Sequence, residues 1–103
     1  DIYCIPSNAN SLLVIRTGDA PEAIIVEDSE ILGGDWLYHG GGLAGDGCIY
    51  AVPCNSTNVL KIKPGPQPRL SVFGSLPDSR QKWYGGLLGS DGCIYCIPNN
   101  AEQ

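Results

Sequence analysis

The sequence predicts an all-β fold built from repeated four-stranded antiparallel units, and three observations predict it. One block recurs: residues 38–53, YHGGGLAGDGCIYAVP, align without a gap on 83–98, WYGGLLGSDGCIYCIP, at a spacing of 45 with nine of sixteen positions identical. Apolar, β-branched runs such as Leu12-Leu13-Val14-Ile15 and Ala23-Ile24-Ile25-Val26 are short and bounded by Gly, Pro, Asn and Asp, as strands between tight turns are. Asp46-Gly47 and Asp91-Gly92 fall between such runs, where a two-residue hairpin turn needs residues that accept positive φ.

The N-terminal segment carries the same unit. Ile2-Tyr3-Cys4-Ile5-Pro6 matches Ile49-Tyr50-Ala51-Val52-Pro53 at a spacing of 47, and the match continues through Asn8/Asn55, Leu13/Leu60 and Ile15/Ile62. Asn100 takes the same place after Pro98. The sequence therefore divides into a partial first unit over 1–37, a second over 38–82 and the start of a third over 83–103, about two and a quarter periods of one domain. Because the motif is cut at both ends, the expectation is a stretch of a longer chain or a member of an assembly.

Within one period the strands follow in order. The first spans 40–44 and ends at Asp46-Gly47; the second spans 48–52 and is closed by Pro53, which has no amide proton to give a ladder. Asn55-Ser56-Thr57-Asn58 makes a polar turn before the third, at 59–62, which Pro64-Gly65-Pro66 stops. The fourth spans 70–73 and ends at Gly74. Strand 48–52 is apolar on both faces and is expected in the middle of a layered structure. A helix over 22–32 competes, since that stretch lacks Gly and Pro, but its β-branched centre and the Gly and Pro around 70–73 in the next period favour a strand.

Four antiparallel strands in about 45 residues is the size of a β-propeller blade. The string 83–101, WYGGLLGSDGCIYCIPNNA, resembles a propeller-type repeat of kelch-like or WD40-like blades, G-x-D-G-x-I-Y-x-I-P-x-N-A, found in proteins of algae and other protists. The resemblance covers nearly the whole chain. It implies antiparallel blades and a scaffold role, and it specifies no activity. The repeat's continuation V-L-x-I-D-P stands here as Val59-Leu60-Lys61-Ile62-Lys63-Pro64, with lysine in place of the acid. Blades bury their faces against neighbouring blades, so a little over two should leave apolar faces bare, to be covered by more of the same protein, by a homo-oligomer or by other proteins.

Composition excludes some classes. Six Lys and Arg against 11 Asp and Glu give a net charge of −5, and Arg16, Lys61, Lys63, Arg69, Arg80 and Lys82 are scattered, so there is no cationic footprint for nucleic acid. No apolar run approaches the roughly 18 residues that span a bilayer as a helix. Charged residues make up only 17%, below the roughly 25% usual for soluble domains, which fits a partly covered surface. An odd number of cysteines and the lack of a basic, apolar leader point to a reducing intracellular or organellar compartment rather than secretion.

Candidate sites are few. Cys4, Cys48, Cys54, Cys93 and Cys96 could suggest metal or disulfides, but Cys48/Cys93 and Cys4/Cys96 are repeat equivalents, so they are expected to be small core residues. In Cys93-Ile94-Tyr95-Cys96 a strand would send the two thiols to opposite faces, unlike a zinc-binding turn. His39 is the only histidine and its equivalent is Tyr84, so no base and nucleophile are gathered around it. Asp46 and Asp91 are explained by their turns. The glycines of 40–45 lack the Lys-Ser/Thr and helix of a phosphate loop and are expected to let strands approach closely. Asn55-Ser56-Thr57 forms a glycosylation sequon but coincides with the repeat's turn. The periodic Trp36, Tyr38, His39, Trp83 and Tyr84, with Asn8, Asn55 and Asn100, are the candidate ligand or partner contacts, since aromatic faces and amides together suit a sugar, while inter-blade packing and turn capping are the more common use of such positions.

The expected function is a non-catalytic structural or protein–protein interaction module without metal or cofactor, an accessory subunit of a larger assembly. The algal resemblance extends this to an organellar, for example photosynthetic, complex. A lectin-like propeller is the alternative, and a propeller-framed enzyme with its catalytic residues elsewhere is the third.

Overall fold

The computed structural model describes residues 1–102, and within them the fold is all-β, with nine strands in three antiparallel sheets and no helix. The strands are β1 (Ile2–Cys4), β2 (Ser11–Arg16), β3 (Glu22–Glu27), β4 (Tyr38–Leu43), β5 (Ile49–Pro53), β6 (Val59–Lys63), β7 (Arg69–Phe73), β8 (Trp83–Leu88) and β9 (Ile94–Pro98). Each pairs with its chain neighbour, giving sheets β1-β2-β3, β4-β5-β6-β7 and β8-β9. The second sheet thus holds the four strands expected of one period, and the segment that could have been a helix is β3 followed by a turn in which Leu32 N donates to Asp28 O at 2.8 Å.

Pairing registers obey the repeat. Ile2 faces Ile15 and Cys4 faces Leu13 in the first sheet, as Ile49 faces Ile62 and Ala51 faces Leu60 in the second. The pair β4-β5 slips between Tyr38 and Gly41, and β8-β9 slips at the equivalent place between Trp83 and Gly86. Each bulge is centred on a glycine, Gly40 with φ 75° and Gly85 with φ 77°, a conformation that a side chain resists. A Cβ on Gly40 would lie 3.3 Å from Gly85 Cα, and Gly45 N donates to Gly92 O at 3.2 Å, so the glycines do bring the second and third sheets close.

The Asp-Gly hairpins differ from expectation in one respect. Gly47 and Gly92 have positive φ, at 82° and 85°, but their aspartates do not. Gly47 N closes the turn on Ala44 O at 3.1 Å, and Asp46 Oδ1 accepts from Cys48 N at 2.9 Å; Gly92 with Gly89, and Asp91 with Cys93, repeat this. An aspartate that binds the amide two residues on needs no left-handed backbone, so a longer turn with one glycine replaces the two-residue type.

The core lies between the first and second sheets. Leu12 and Val14 of β2 meet Leu60 and Ile62 of β6, with Tyr38, Ala51 and Leu32 completing the buried cluster and Tyr3, Ile5, Ile24, Val26 and Leu70 around it. On the far side of the second sheet, Val52 packs toward the third sheet, where a Cβ on Gly86 would stand 3.1 Å from Val52 Cγ2. The middle strand β5 is accordingly buried from both sides at Ala51 and Val52. No described helix is long and apolar enough to cross a membrane.

Candidate functional site

Three of the eight sequence-selected residues come together. His39 on β4 stacks on Tyr84 on β8, with ring centroids 3.6 Å apart, and Trp36 stacks at 6.4 Å on His39. His39 and Tyr84 are repeat equivalents, and the glycine bulges beside them bring their strands together. Trp36 and Tyr84 are each 43% exposed.

Tyr38 belongs to the core instead. It is almost wholly buried, its hydroxyl donates to Asn58 Oδ1 at 2.7 Å and accepts from Ser56 Oγ at 3.1 Å, and burial raises its pKa above the ordinary 10.0. Its equivalent Trp83 is half-buried at the start of β8.

The asparagines tie units together. Asn8 Oδ1 accepts from Trp36 N at 2.7 Å, and Asn55 Oδ1 accepts from Gln81 N at 2.7 Å while its Nδ2 donates to Asp35 O at 2.7 Å. Trp36 and Gln81 are repeat equivalents, and both hold positive φ, at 51° and 53°. Backbone bonds repeat around them: Leu37 N to Ser7 O matches Lys82 N to Cys54 O, and Asn55 N to Trp36 O matches Asn100 N to Gln81 O. Asn100 occupies the same turn, exposed, after β9.

Expected core cysteines prove uneven. Cys48 and Cys54 are buried and Cys4 and Cys96 half-buried, but Cys93 is exposed, a departure from expectation. Its equivalent Cys48 is on a sheet with neighbours on both sides, whereas no described sheet follows the third. All five are free thiols, and burial raises the Cys96 thiol. Among the described residues no three of His, Cys, Asp or Glu are grouped to hold a metal ion.

Two features escaped sequence reading. Asp46 Oδ2 accepts from Tyr50 Oη at 2.5 Å and Asp91 Oδ2 from Tyr95 Oη at 2.6 Å, so the motif's acid and tyrosine form one unit. The tyrosine hydroxyl and the turn amide lower both aspartate pKa values, and the aspartates raise both tyrosines. Lys82 is the other: it is buried at the position of Leu37, its Nζ donates to Ser79 O at 2.8 Å, and desolvation lowers its pKa. The recurring D-G-x-I-Y spacing was the available signal for the first; for Lys82 there was none.

An apolar concavity lies elsewhere. An open groove of about 420 Å³ runs between the second and third sheets, walled by Tyr50, Val52, Val59 and Phe73 on one side and Ile94 and Cys96 on the other. Phe73 meets Tyr50 edge-on at 6.0 Å, and Lys61 Nζ stands 5.8 Å from the Tyr50 ring centre. None of Trp36, His39 or Tyr84 lines it. Strands β6 and β7 are the uncovered half of this face, because β8 and β9 are the only described strands of the third sheet. The outer faces of the first and third sheets are apolar too, with Ile25 at 59%, Leu87 at 68% and Tyr95 at 58% exposure. This arrangement can bury apolar surface and pair strand edges. Comparison with protein-family models, curated proteins and solved structures gave no match.

Proposed function

We propose that this chain is a section of a β-propeller and serves as a non-catalytic protein-interaction module. The observation that carries the reading is the set of exposed apolar side chains, Ile2 and Ile25 on the first sheet and Leu87, Tyr95 and Ile97 on the third; the repeat equivalents of Ile2, Tyr95 and Ile97, which are Ile49, Tyr50 and Val52, are half-buried or buried inside the molecule. Isolated exposed leucines mean little, but contiguous apolar faces on both terminal sheets mark surfaces that associate. The second sheet holds four strands, and the bulged glycine strand and the asparagine staple recur at blade-sized spacing, which supports blades rather than three unrelated sheets. Membership of a larger, organellar assembly follows only from the repeat's resemblance and is part of the proposal.

A lectin reading has one observation in its favour, the half-exposed Trp36 and Tyr84 on either side of His39. Mutual stacking weakens it, because a sugar-binding platform presents a free ring face. The experiment pairs a neutral-glycan array with binding of an apolar fluorescent dye. The array is expected to be blank, and the dye is expected to bind and to bind less in Leu87→Asp/Ile97→Asp with the β-type circular dichroism unchanged. Saturable binding of a neutral glycan, abolished by Tyr84→Ala, would overturn the reading in favour of a lectin.

A further inference from the structure

We propose that the outer edge of β7 is a self-association surface, on which the β7 of a second copy pairs antiparallel about a two-fold axis at Ser71. The proposal stands on the second sheet alone and does not need the sheets to be propeller blades. Strand β7 ends the order β4-β5-β6-β7, and the chain that follows it passes through a connector into β8 of another sheet. That connector is held by the turn before β6, where Leu76 N donates to Thr57 O at 2.8 Å. In an antiparallel pair every second residue directs its N–H and C=O away from its partner strand, so β7 presents backbone donors and acceptors on the side opposite β6. Among the described residues no backbone group outside β6 bonds that of β7.

Sheet edges are ordinarily guarded by charge, proline or a bulge, and the two outer strands of this molecule differ in that respect. β3, the outer strand of the first sheet, has Glu22 and Glu27 at its two ends. Antiparallel pairing of β3 with its own copy would set Glu22 against Glu27 twice, and like charges directly opposed repel. β7 lacks such a guard: its pairing with β6 runs through five consecutive residues without a shift, it holds neither Pro nor Gly, and four of its five residues are exposed. Arg69-Leu70-Ser71-Val72-Phe73 is moreover complementary to its own reverse. Arg69 falls opposite Phe73 of the second copy, a cation against a ring; Leu70 falls opposite Val72, apolar against apolar; and Ser71 meets Ser71 on the axis. In its own sheet Arg69 lies opposite Lys63, a like charge, and no carboxylate of the described residues pairs with it. The ring of the second copy gives this cation the partner that its own sheet does not. A contact of one patch with itself closes at two chains, joining two four-stranded sheets into one.

Sedimentation of the 103-residue chain, with circular dichroism to follow folding, is the first measurement. A species of twice 10.9 kDa is expected, both in that chain and in Leu87→Asp/Ile97→Asp, which alters the third sheet and leaves β7 intact. A 10.9 kDa particle in either chain at all concentrations up to about 100 μM overturns the proposal, folded or unfolded. The interaction-module reading is decided separately, by the dye and the glycan array. Ser71→Lys sets two lysines against each other on the axis, each beside its own Lys61, and is expected to weaken the dimer about tenfold or more with circular dichroism unchanged, whereas Ser71→Thr keeps it. Dimers as strong in Ser71→Lys as in the original chain overturn the pairing. Register is read in Ser71→Cys, which adds no charge. Opposed residues of an antiparallel pair are about 4.5–5.5 Å apart at Cα, within disulfide reach, so mild oxidation with copper-phenanthroline is expected to link position 71 of one copy to position 71 of the other. A dimer whose mapped peptides lack that link overturns the proposal.

Discussion

An aspartate four residues ahead of a tyrosine carries two loads in each complete hairpin of this protein. Asp46 and Asp91 each hold a turn amide with one carboxylate oxygen and a tyrosine hydroxyl with the other. Both carboxyls lie below their ordinary 3.8 because the charged form is the one hydrogen-bonded. Such a group contributes stability that is present above its unfolded value and is lost as pH falls through the native one. Tyr50 and Tyr95 lie above 10.0, so their contribution is complete below pH 10 and is lost as pH rises through the native values. Urea midpoints measured across pH are expected to fall at both ends, and the double variant Tyr50→Phe/Tyr95→Phe should lack the alkaline loss these pairs cause while keeping the turns. An unchanged alkaline limb would remove the pairs as its cause. Sequence alone assigned the aspartates to turns correctly, but the tyrosine partners emerged only in the folded hairpins, where Tyr50 and Tyr95 reach the carboxylates of their own turns.

At the scale of the element, the glycines of β4 separate by what surrounds them. A Cβ on Gly41 would lie 2.5 Å from Tyr50 O and 3.2 Å from Ala51 Cα and Ile5 Cδ1, whereas one on Gly42 would meet only Ile94 Cδ1 at 3.7 Å. Gly41→Ala is therefore expected to cost about 1–3 kcal/mol by forcing backbone and core apart. Gly42→Ala should cost little or nothing. Thermal melts of the two variants check this, and equal losses would mean that strand flexibility, not close approach, decides the glycines. The sequence predicted four strands per period and their order, because turn residues and β-branched runs are local signals. It could not place the bulges at Gly40 and Gly85 or the positive φ of Trp36 and Gln81. Trp36 and Gln81 are the residues whose amides Asn8 and Asn55 hold from 28 and 26 residues away in the chain, at the entry to the next sheet.

Across the whole molecule, stability rests on the contact between first and second sheets. Leu60→Ala, at a fully buried position, is expected to cost about 2–5 kcal/mol, read as a lower urea midpoint with an unchanged slope. A loss below about 1 kcal/mol would mean that this contact does not hold the sheets together. The repeat, the strand order, the antiparallel pairing and the hairpin positions were determined by the sequence itself, since each depends on residues close in the chain. Which face each strand buries was decided only by the tertiary structure. In β2 the buried residues are Leu12 and Val14, while in the equivalent β6 they are Leu60 and Ile62, equivalents of the half-buried Leu13 and Ile15. Both faces of β2 are apolar, so alternation cannot choose between them. The same holds for Cys48 and Cys93, alike in sequence and opposite in exposure. Burial is a property of what lies across the sheet, and only the stacking of one sheet on the next supplies it.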